Sequence, residues 1–368
     1  KEPKKIELTF EQSKAYDTYS NMLLDGGGSG LLYGVTGSGK TQVYLKLIDK
    51  ALENDRDVIV LVPEISLTPQ VLSIFHARYG DKVAVFHSGL SLGERNDEYK
   101  RADRGEAKIV IGTRSAVFAP LHNLGLIIMD EEQENTYKSE RTPKYNTKDV
   151  AHFRCKYNKA LFLMTSATPS LETYSNALKG KYVLCELNER FGDAKLPHVI
   201  TVDMKQEMKN GNKSPISSKL KELISETIDN GKQAILLINR RGYNTFIACN
   251  DCGHVITCPN CSISLTYHST NNRLTCHYCG YTKSLDNVCP ECHSENIRYS
   301  GYGTQKIEDE LSYLFPNARI LRMDADTTSA KFSHEKLFNA FANHEYDIMI
   351  GTQMVAKGLD FDNVTLVG

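Results

Sequence analysis

Gly34-Val35-Thr36-Gly37-Ser38-Gly39-Lys40-Thr41 matches the spacing G-x-x-x-x-G-K-[ST]. The pattern has a physical use. With no side chains at Gly34, Gly37 and Gly39, backbone N–H groups along Thr36 and Ser38 can face the oxygens of an anion. A helix opening at the end of the loop adds its partial positive charge. Lys40 is then placed to reach the outer phosphates of ATP, and the Thr41 hydroxyl to ligate Mg²⁺. Phosphate chemistry also needs acids. Asp130 and Glu131 follow the apolar run Leu126-Ile127-Ile128-Met129. Asp130 suits Mg²⁺, usually through water, and Glu131 suits orienting or deprotonating an attacking water. Alone, such a pair is an ordinary strand end; downstream of a phosphate loop it reads as the loop's partner.

The second concentration of chemistry is in the thiols. The chain has ten cysteines, and eight form four Cys-x-x-Cys pairs: Cys249/Cys252, Cys258/Cys261, Cys276/Cys279 and Cys289/Cys292. Each pair is a knuckle whose two thiolates can face one ion, so eight thiolates suit two tetrahedral Zn²⁺ sites. Four knuckles pair in three ways. The stretch from Cys261 to Cys276 is near zinc-ribbon spacing, whereas Cys252 and Cys258 are too close to share an ion comfortably. A nested arrangement is expected: Cys249, Cys252, Cys289 and Cys292 at one site, and Cys258, Cys261, Cys276 and Cys279 at the other. Closed Cys₄ sites are structural, because no coordination position stays open. Tyr267, His268, Arg273, His277, Tyr278 and Tyr281 lie in the same block and have the chemistry to stack on bases or meet phosphates.

The elements that must carry these groups alternate. Leu31–Gly34 reads as a strand followed by a helix from about Ser38. Further apolar runs occur at 58–62, 83–86, 109–111, 126–129 and 161–164. Continuous apolar runs suit a buried parallel sheet flanked by helices. A polar stretch, 179–214, reads as the link between two lobes. A second alternation follows: strands at 234–238, 319–323 and 348–350, and helices at 307–314 and 335–341. The expected fold is α/β: two RecA-like parallel-sheet lobes, 1–205 and 206–368, with a cysteine-rich two-zinc insert at 246–298 in the second.

Composition bounds this reading. The 368 residues are 40% hydrophobic and 24% charged, with a formal net charge of −1. A nucleic-acid reading must therefore rest on local sites. No apolar run approaches a membrane span, so no membrane partner is expected. Lys1-Glu2-Pro3-Lys4-Lys5 lacks a secretory core and an initiator Met, which reads as a fragment from the cytoplasm. Paired thiols favour metal over disulfides there.

Several stretches resemble the motifs of superfamily 2 helicases. Asp130-Glu131-Glu132-Gln133 is similar to motif II and Thr165-Ser166-Ala167-Thr168-Pro169 to motif III. Leu61-Val62-Pro63-Glu64-Ile65-Ser66-Leu67-Thr68-Pro69-Gln70 and Gly112-Thr113-Arg114-Ser115-Ala116-Val117-Phe118-Ala119-Pro120 are similar to motifs Ia and Ib. Gly351-Thr352-Gln353-Met354-Val355-Ala356-Lys357-Gly358 is similar to motif V. With Asn239-Arg240-Arg241-Gly242-Tyr243 and the four knuckles after it, the chain resembles the bacterial primosomal replication-restart helicases along its whole length.

That resemblance implies a 3′-to-5′ DNA helicase. Its partners would be forks, single-stranded DNA, single-stranded DNA-binding protein and primosome loading proteins, in a nucleoid-associated cytoplasmic setting. Gln12 resembles the glutamine that reads adenine. Tyr137, Lys138, Arg141, Lys144 and Tyr145 fall where the family has an aromatic-rich loop coupling DNA binding to hydrolysis, and Arg114 and Lys357 are further phosphate contacts. Arg240 and Arg241 have the same charge. Two departures stand out. Gln133 replaces the histidine that usually ends motif II. The chain also stops at Gly368, after motif V and before an arginine-bearing motif VI, so weak hydrolysis is expected. A primosome scaffold or a double-strand translocase are the competing classes; an intact phosphate loop and acid pair favour the motor.

Overall fold

The computed structural model describes residues 7–63, 69–139, 142–190, 197–212, 214–238, 245–249, 251–268, 273–276, 278–284, 288–300, 304–323, 333–352, 355 and 361–368. The chain forms two compact units, 1–198 and 199–368. The division falls a little earlier than the expected 205/206.

In the first unit, helix α1 (Phe10–Leu24) leads into β1 (Gly28–Gly34), then α2 (Lys40–Glu53), β2 (Asp57–Leu61), α3 (Pro69–Tyr79), β3 (Val83–Phe86) and α4 (Leu92–Asp103). β4 (Ile109–Gly112), β5 (Leu124–Met129), α5 (Thr147–Asn158), β6 (Leu161–Ser166), α6 (Leu171–Leu178) and β7 (Val183–Leu187) complete it. The seven strands form one sheet in the order β3-β4-β2-β5-β6-β1-β7, and every pairing is parallel.

The sequence explains why the sheet is sandwiched. Val58, Ile59, Val60 and Leu61 are all fully buried. Side chains alternate across a strand, so Val58 and Val60 join the core under α1, α2 and α3, while Ile59 and Leu61 join the core under α5 and α6. A strand buried on both faces needs the continuous apolar run that the sequence supplies. At the edge, Tyr19 of α1 is fully buried and donates its hydroxyl to the carbonyls of Leu31 (2.7 Å) and Val183 (3.2 Å). Gly30 makes room for that ring: a Cβ there would sit 2.4 Å from the Tyr19 ring edge.

The second unit repeats the design on a smaller scale. It opens on the short helix α7 (Met204–Lys209), followed by α8 (Ser218–Asp229). β8 (Gln233–Leu237), β14 (Ile320–Met323), β15 (Ile348–Gly351) and β16 (Val364–Val367) form a parallel sheet in the order β14-β15-β8-β16. Helices α8 and α9 (Thr304–Leu314) cover one face and α10 (Ser333–Ala342) the other. Between β8 and α9 lies an antiparallel sheet of five short strands: β9 (Thr245–Cys249), β10 (Thr266–His268), β11 (Arg273–Thr275), β12 (Thr282–Ser284) and β13 (Ile297–Ser300).

Two elements differ from the sequence reading. The polar 179–214 stretch, expected to be a link between lobes, contains β7, which pairs with β1. Only Leu187 of that strand is buried, because an edge strand has one partner and carries little apolar signal. β16 also lies outside the expected strands, and its half-buried alternation explains why.

His152, on α5, offers a check on this packing. Its ring nitrogens lie 3.2 Å from the Ser29 and Tyr182 hydroxyls, and its ring stacks on Tyr182. Burial, with Lys148 adding to it, holds its pKa below the ordinary histidine range. The unfolded chain therefore takes up the proton more readily. Stability from neutral His152 is intact above the ordinary value and declines as pH falls below about 6.5. The urea midpoint is expected to drop between about pH 7 and about pH 5.5, and less steeply in His152→Gln; equal slopes in both proteins would remove His152 as the cause.

Candidate nucleotide-binding site, nucleic-acid face and zinc centres

The sheet order places the chemistry. β6 lies between β1 and β5, so the loop after β1, the acids after β5 and the Thr165–Thr168 segment at the end of β6 meet at one carboxyl edge, where α/β sheets bind ligands. The loop turns at Gly37 and Gly39, with φ of 78° and 74°, a region that disfavours other residues. A Cβ on Gly39 would also come within 2.4 Å of Gln12 Nε2. Helix α2 begins directly at Lys40, so its N-terminal N–H groups open onto the loop.

Lys40 lies among oxygens. Its Nζ donates to the carbonyls of Gly34 at 2.7 Å and Val35 at 3.4 Å. Burial pushes its pKa down, while Glu131 and Asp130 pull the other way. Asp130 mirrors it: burial raises the carboxyl, and the Thr165 hydroxyl, Lys40 and the Glu131 N–H oppose the rise. A desolvated ammonium and a desolvated carboxylate share one field, and that donor set fits a triphosphate with Mg²⁺. Thr41 is exposed at the start of α2 and hydrogen-bonded to buried Tyr44. The sequence reading did not single out Tyr44.

Gln12 is 1% exposed. Its Oε1 accepts from Thr9 N and its Nε2 donates to Ser38 O, both at 2.9 Å. Both ends of the amide are engaged by the protein, and the residue braces α1 against the loop.

The acids are stitched to the segment after β6. Glu131 has φ of 49°. Gln133 Nε2 donates to Glu131 Oε2 and Ser166 Oγ donates to Gln133 Oε1, both at 2.6 Å. An amide, with a donor and an acceptor, can hold both partners at once without titrating.

The residues expected to meet nucleic acid divide. Arg114, Lys138, Lys144 and Tyr145 are exposed or partly so. Arg114 donates to the carbonyls of Thr136 (3.4 Å) and Lys138 (3.3 Å). Tyr145 packs edge-on against Phe118. Tyr137 is corrected: it is 3% exposed, and its hydroxyl donates to Leu61 O at 3.0 Å and Asp130 O at 2.6 Å. A buried ring so held cannot stack on a base; its polar tip is satisfied by two strand-end carbonyls, of which Leu61 O also accepts from Asp130 N at 2.9 Å. Arg141, Lys357, Arg240 and Arg241 lie outside the described residues. A cleft beside Arg114 is lined by His87, Ser88, Arg95, Thr113 and Thr136 as well. Sequence reasoning missed His87, Ser88, Arg95 and Thr136, since they come from the loop after β3, from α4 and from the segment after the acids.

In the insert, the four Sγ atoms of Cys249, Cys252, Cys289 and Cys292 all lie within 4.8 Å of one another, as do those of Cys258, Cys261, Cys276 and Cys279. The pairing follows from the strands. β9 and β13 run together with Cys249 opposite Ile297, and the β10–β11 hairpin brings Thr266 opposite Thr275 beside Cys276. Across the sites, Cys249–Cys292 and Cys258–Cys279 are 3.5 and 3.6 Å apart. A tetrahedron with Zn–S near 2.3 Å needs about 3.8 Å between sulfurs, so both groups fit Zn²⁺. Backbone N–H groups draw Cys249 and Cys279 down to about 7, whereas the neighbouring Cys279 thiol pushes Cys261 up to about 12. Four thiolates at one point need a cation between them.

Residues 12–177 match the model of the DEAD/DEAH box helicases, and 258–283 that of the PriA DNA helicase Cys-rich region. The structure of RecG bound to a three-way DNA junction superposes with a TM-score of 0.55 at 16% identity, covering 99% of this chain and 38% of that one. The helicase MrfA bound to DNA gives 0.55 at 15%, covering 98% and 44%. At such identities these share the fold. Fold and site together define a two-lobed P-loop protein of the helicase class with a Cys₄ zinc insert. Replication restart protein PriA of Bacillus subtilis is 51% identical over all of this chain and 46% of its own length. The Synechocystis protein of the same name is 45% identical over 98% of this chain and 44% of its length. The chain belongs to the PriA family and spans about half the length of the curated relatives it matches.

Intact-mass and metal analysis should find two zinc ions per chain. Cys258→Ser should retain about one, because the other group is built on β9 and β13, away from the hairpin. A variant that loses both ions would mean that the two sites form as one unit.

Proposed function

We propose that this chain is the motor portion of an ATP-dependent 3′-to-5′ DNA helicase that acts in replication restart. Residues 1–198 form the ATP-binding lobe and 199–368 the second lobe with its zinc insert. The observation that carries the reading is the meeting of Lys40 with Asp130 and Glu131 at one sheet edge, in a chain 51% identical to a replication restart protein.

The chemistry is phosphoryl transfer to water. Lys40 exchanges the Gly34 and Val35 carbonyls for phosphate oxygens, and backbone N–H groups from Thr36 to Thr41 hold the remaining charge. Thr41 and Asp130 are the groups that would hold Mg²⁺, which supplies charge stabilisation to the phosphates. Glu131 orients the attacking water and takes its proton. Gln133 sets the Glu131 carboxylate relative to Ser166. Gln12 stands where an adenine would be read, and would exchange one of its protein partners to do so.

Single-stranded DNA would run across the carboxyl edge of the first lobe. Arg114, Lys138 and Lys144 supply positive charge and Tyr145 a ring face, as stacking and phosphate contact require. Arg141 and, in the second lobe, Lys357 carry the same charge. The fork, single-stranded DNA-binding protein and primosome loading proteins are the further partners, consistent with the replication-restart relatives. Among the described residues no helix is long and apolar enough to cross a membrane.

ATP turnover by the chain is expected to rise with single-stranded DNA and to fall about a hundredfold or more in Lys40→Ala, with the two zincs retained. Turnover indifferent to Lys40→Ala would overturn the assignment of the nucleotide site.

A further inference from the structure

The acid after the Asp130-Glu131 pair has no part in that chemistry. Yet the Glu132 side chain is fully buried. Its carboxylate accepts from Ser170 N at 2.7 Å, Ser170 Oγ at 3.2 Å and Thr173 Oγ1 at 2.9 Å, and it is ion-paired with Lys148. Lys148 also donates to Thr173 Oγ1 at 2.8 Å. Three segments therefore converge on one carboxylate: the loop after β6, the first turn of α6 and the first turn of α5.

A need for stability alone does not explain this choice. A buried ion pair gives little over well-packed apolar residues, because both charges must be desolvated. What such a pair supplies is geometry, since each donor is held at a set distance from the others. Here the set distance is measured from the catalytic acids. Glu132 N donates to Thr165 O at 3.2 Å, and the residue before it is Glu131, in its left-handed conformation. Lys148 stands two residues beyond Asn146, the N-cap of α5, where the segment bearing Lys138, Lys144 and Tyr145 ends. Ser170 follows the segment whose Ser166 binds Gln133.

We infer that Glu132, clasped by Lys148 and Ser170, is a positioning residue that passes the state of the described residues 142–146 and 166–170 to Glu131. It touches neither phosphate nor water. It makes the position of the Glu131 backbone follow the position of either neighbouring segment. The inference rests on the hydrolytic reading above and adds to it the residues through which occupancy of the nucleic-acid face reaches the water-activating acid.

The test is steady-state ATPase of the full chain, with and without single-stranded DNA, for wild type, Glu132→Ala, Glu132→Gln and Lys148→Met, with melting temperature measured on each. In Glu132→Ala the ratio of DNA-stimulated to unstimulated kcat is expected to fall about tenfold, while KM for ATP moves less than about twofold. Glu132→Gln keeps an acceptor for Ser170 N but turns an amide NH₂ toward the Lys148 ammonium, so it should lower the ratio as Lys148→Met does while still filling the site. Lys148→Met should lower it with the Ser170 contacts intact, which keeps the question answerable if Glu132→Ala folds poorly. A lower melting temperature with an unchanged ratio in all three variants would reduce Glu132 to a structural brace and overturn the inference. Wild-type turnover that ignores DNA would instead sink the motor assignment, and this one with it.

Discussion

Asp130 and Lys40 are charges taken out of water at the end of a parallel sheet, and the surrounding structure is arranged to hold them there. An unpaired buried ion is several kcal/mol uphill. Thr165 and the Glu131 N–H donate to the carboxylate, and two loop carbonyls accept from the ammonium. Those partners exist because β1, β5 and β6 are neighbours in one all-parallel sheet. Their apolar interiors set the height at which the three loops emerge. The core of Val58, Val60, Ile128 and Leu163 on one face, and Ile59, Ile127 and Phe162 on the other, is thus part of the site.

The insert answers a different constraint. Its core is small: Ile256, Cys258, Leu265, Leu274 and Cys276, with few residues packed on it. Strands this short do not bury enough apolar surface to order themselves, and small modules commonly depend on metal. Thiolate–zinc binding supplies on the order of 10 kcal/mol or more in such modules. The thiols at each centre repel as they ionise, so the ion is what makes the folded arrangement favourable.

Between these regions of strong constraint lies a more subtle one. Tyr137, Arg114 and Thr147 tie the segment after the acids to the body of the lobe: the Tyr137 hydroxyl reaches Leu61 and Asp130, and Thr147 Oγ1 donates to Tyr137 O at 2.8 Å. Exposed Lys138 and Lys144 are carried on that frame. Position in a basic, aromatic stretch does not decide which ring faces solvent. Tyr137 faces inward, where its hydroxyl finds the Leu61 and Asp130 carbonyls; Tyr145 stays at the surface against Phe118.

Much of the fold and site is legible in the order of residues alone. Continuous apolar runs with glycines between them can form little except a covered parallel sheet, because each strand must bury two faces. The phosphate loop, the acid pair and the eight paired cysteines carry their chemistry in residue type and spacing. Those are local facts, and backbone geometry near each residue enforces them. The tertiary structure decided what depends on partners far apart in the chain. β7 exists because β1 offers it an edge. The nested knuckles close because β9 meets β13. Tyr44 and Tyr137 lie beneath the acids, and Glu132 gathers Lys148, Ser170 and Thr173 from segments up to 41 positions away. A carboxylate in a run of three looks like its neighbours in one dimension. Which one is buried, and by whom, is settled only by the directions in which the packed sheet makes their side chains point.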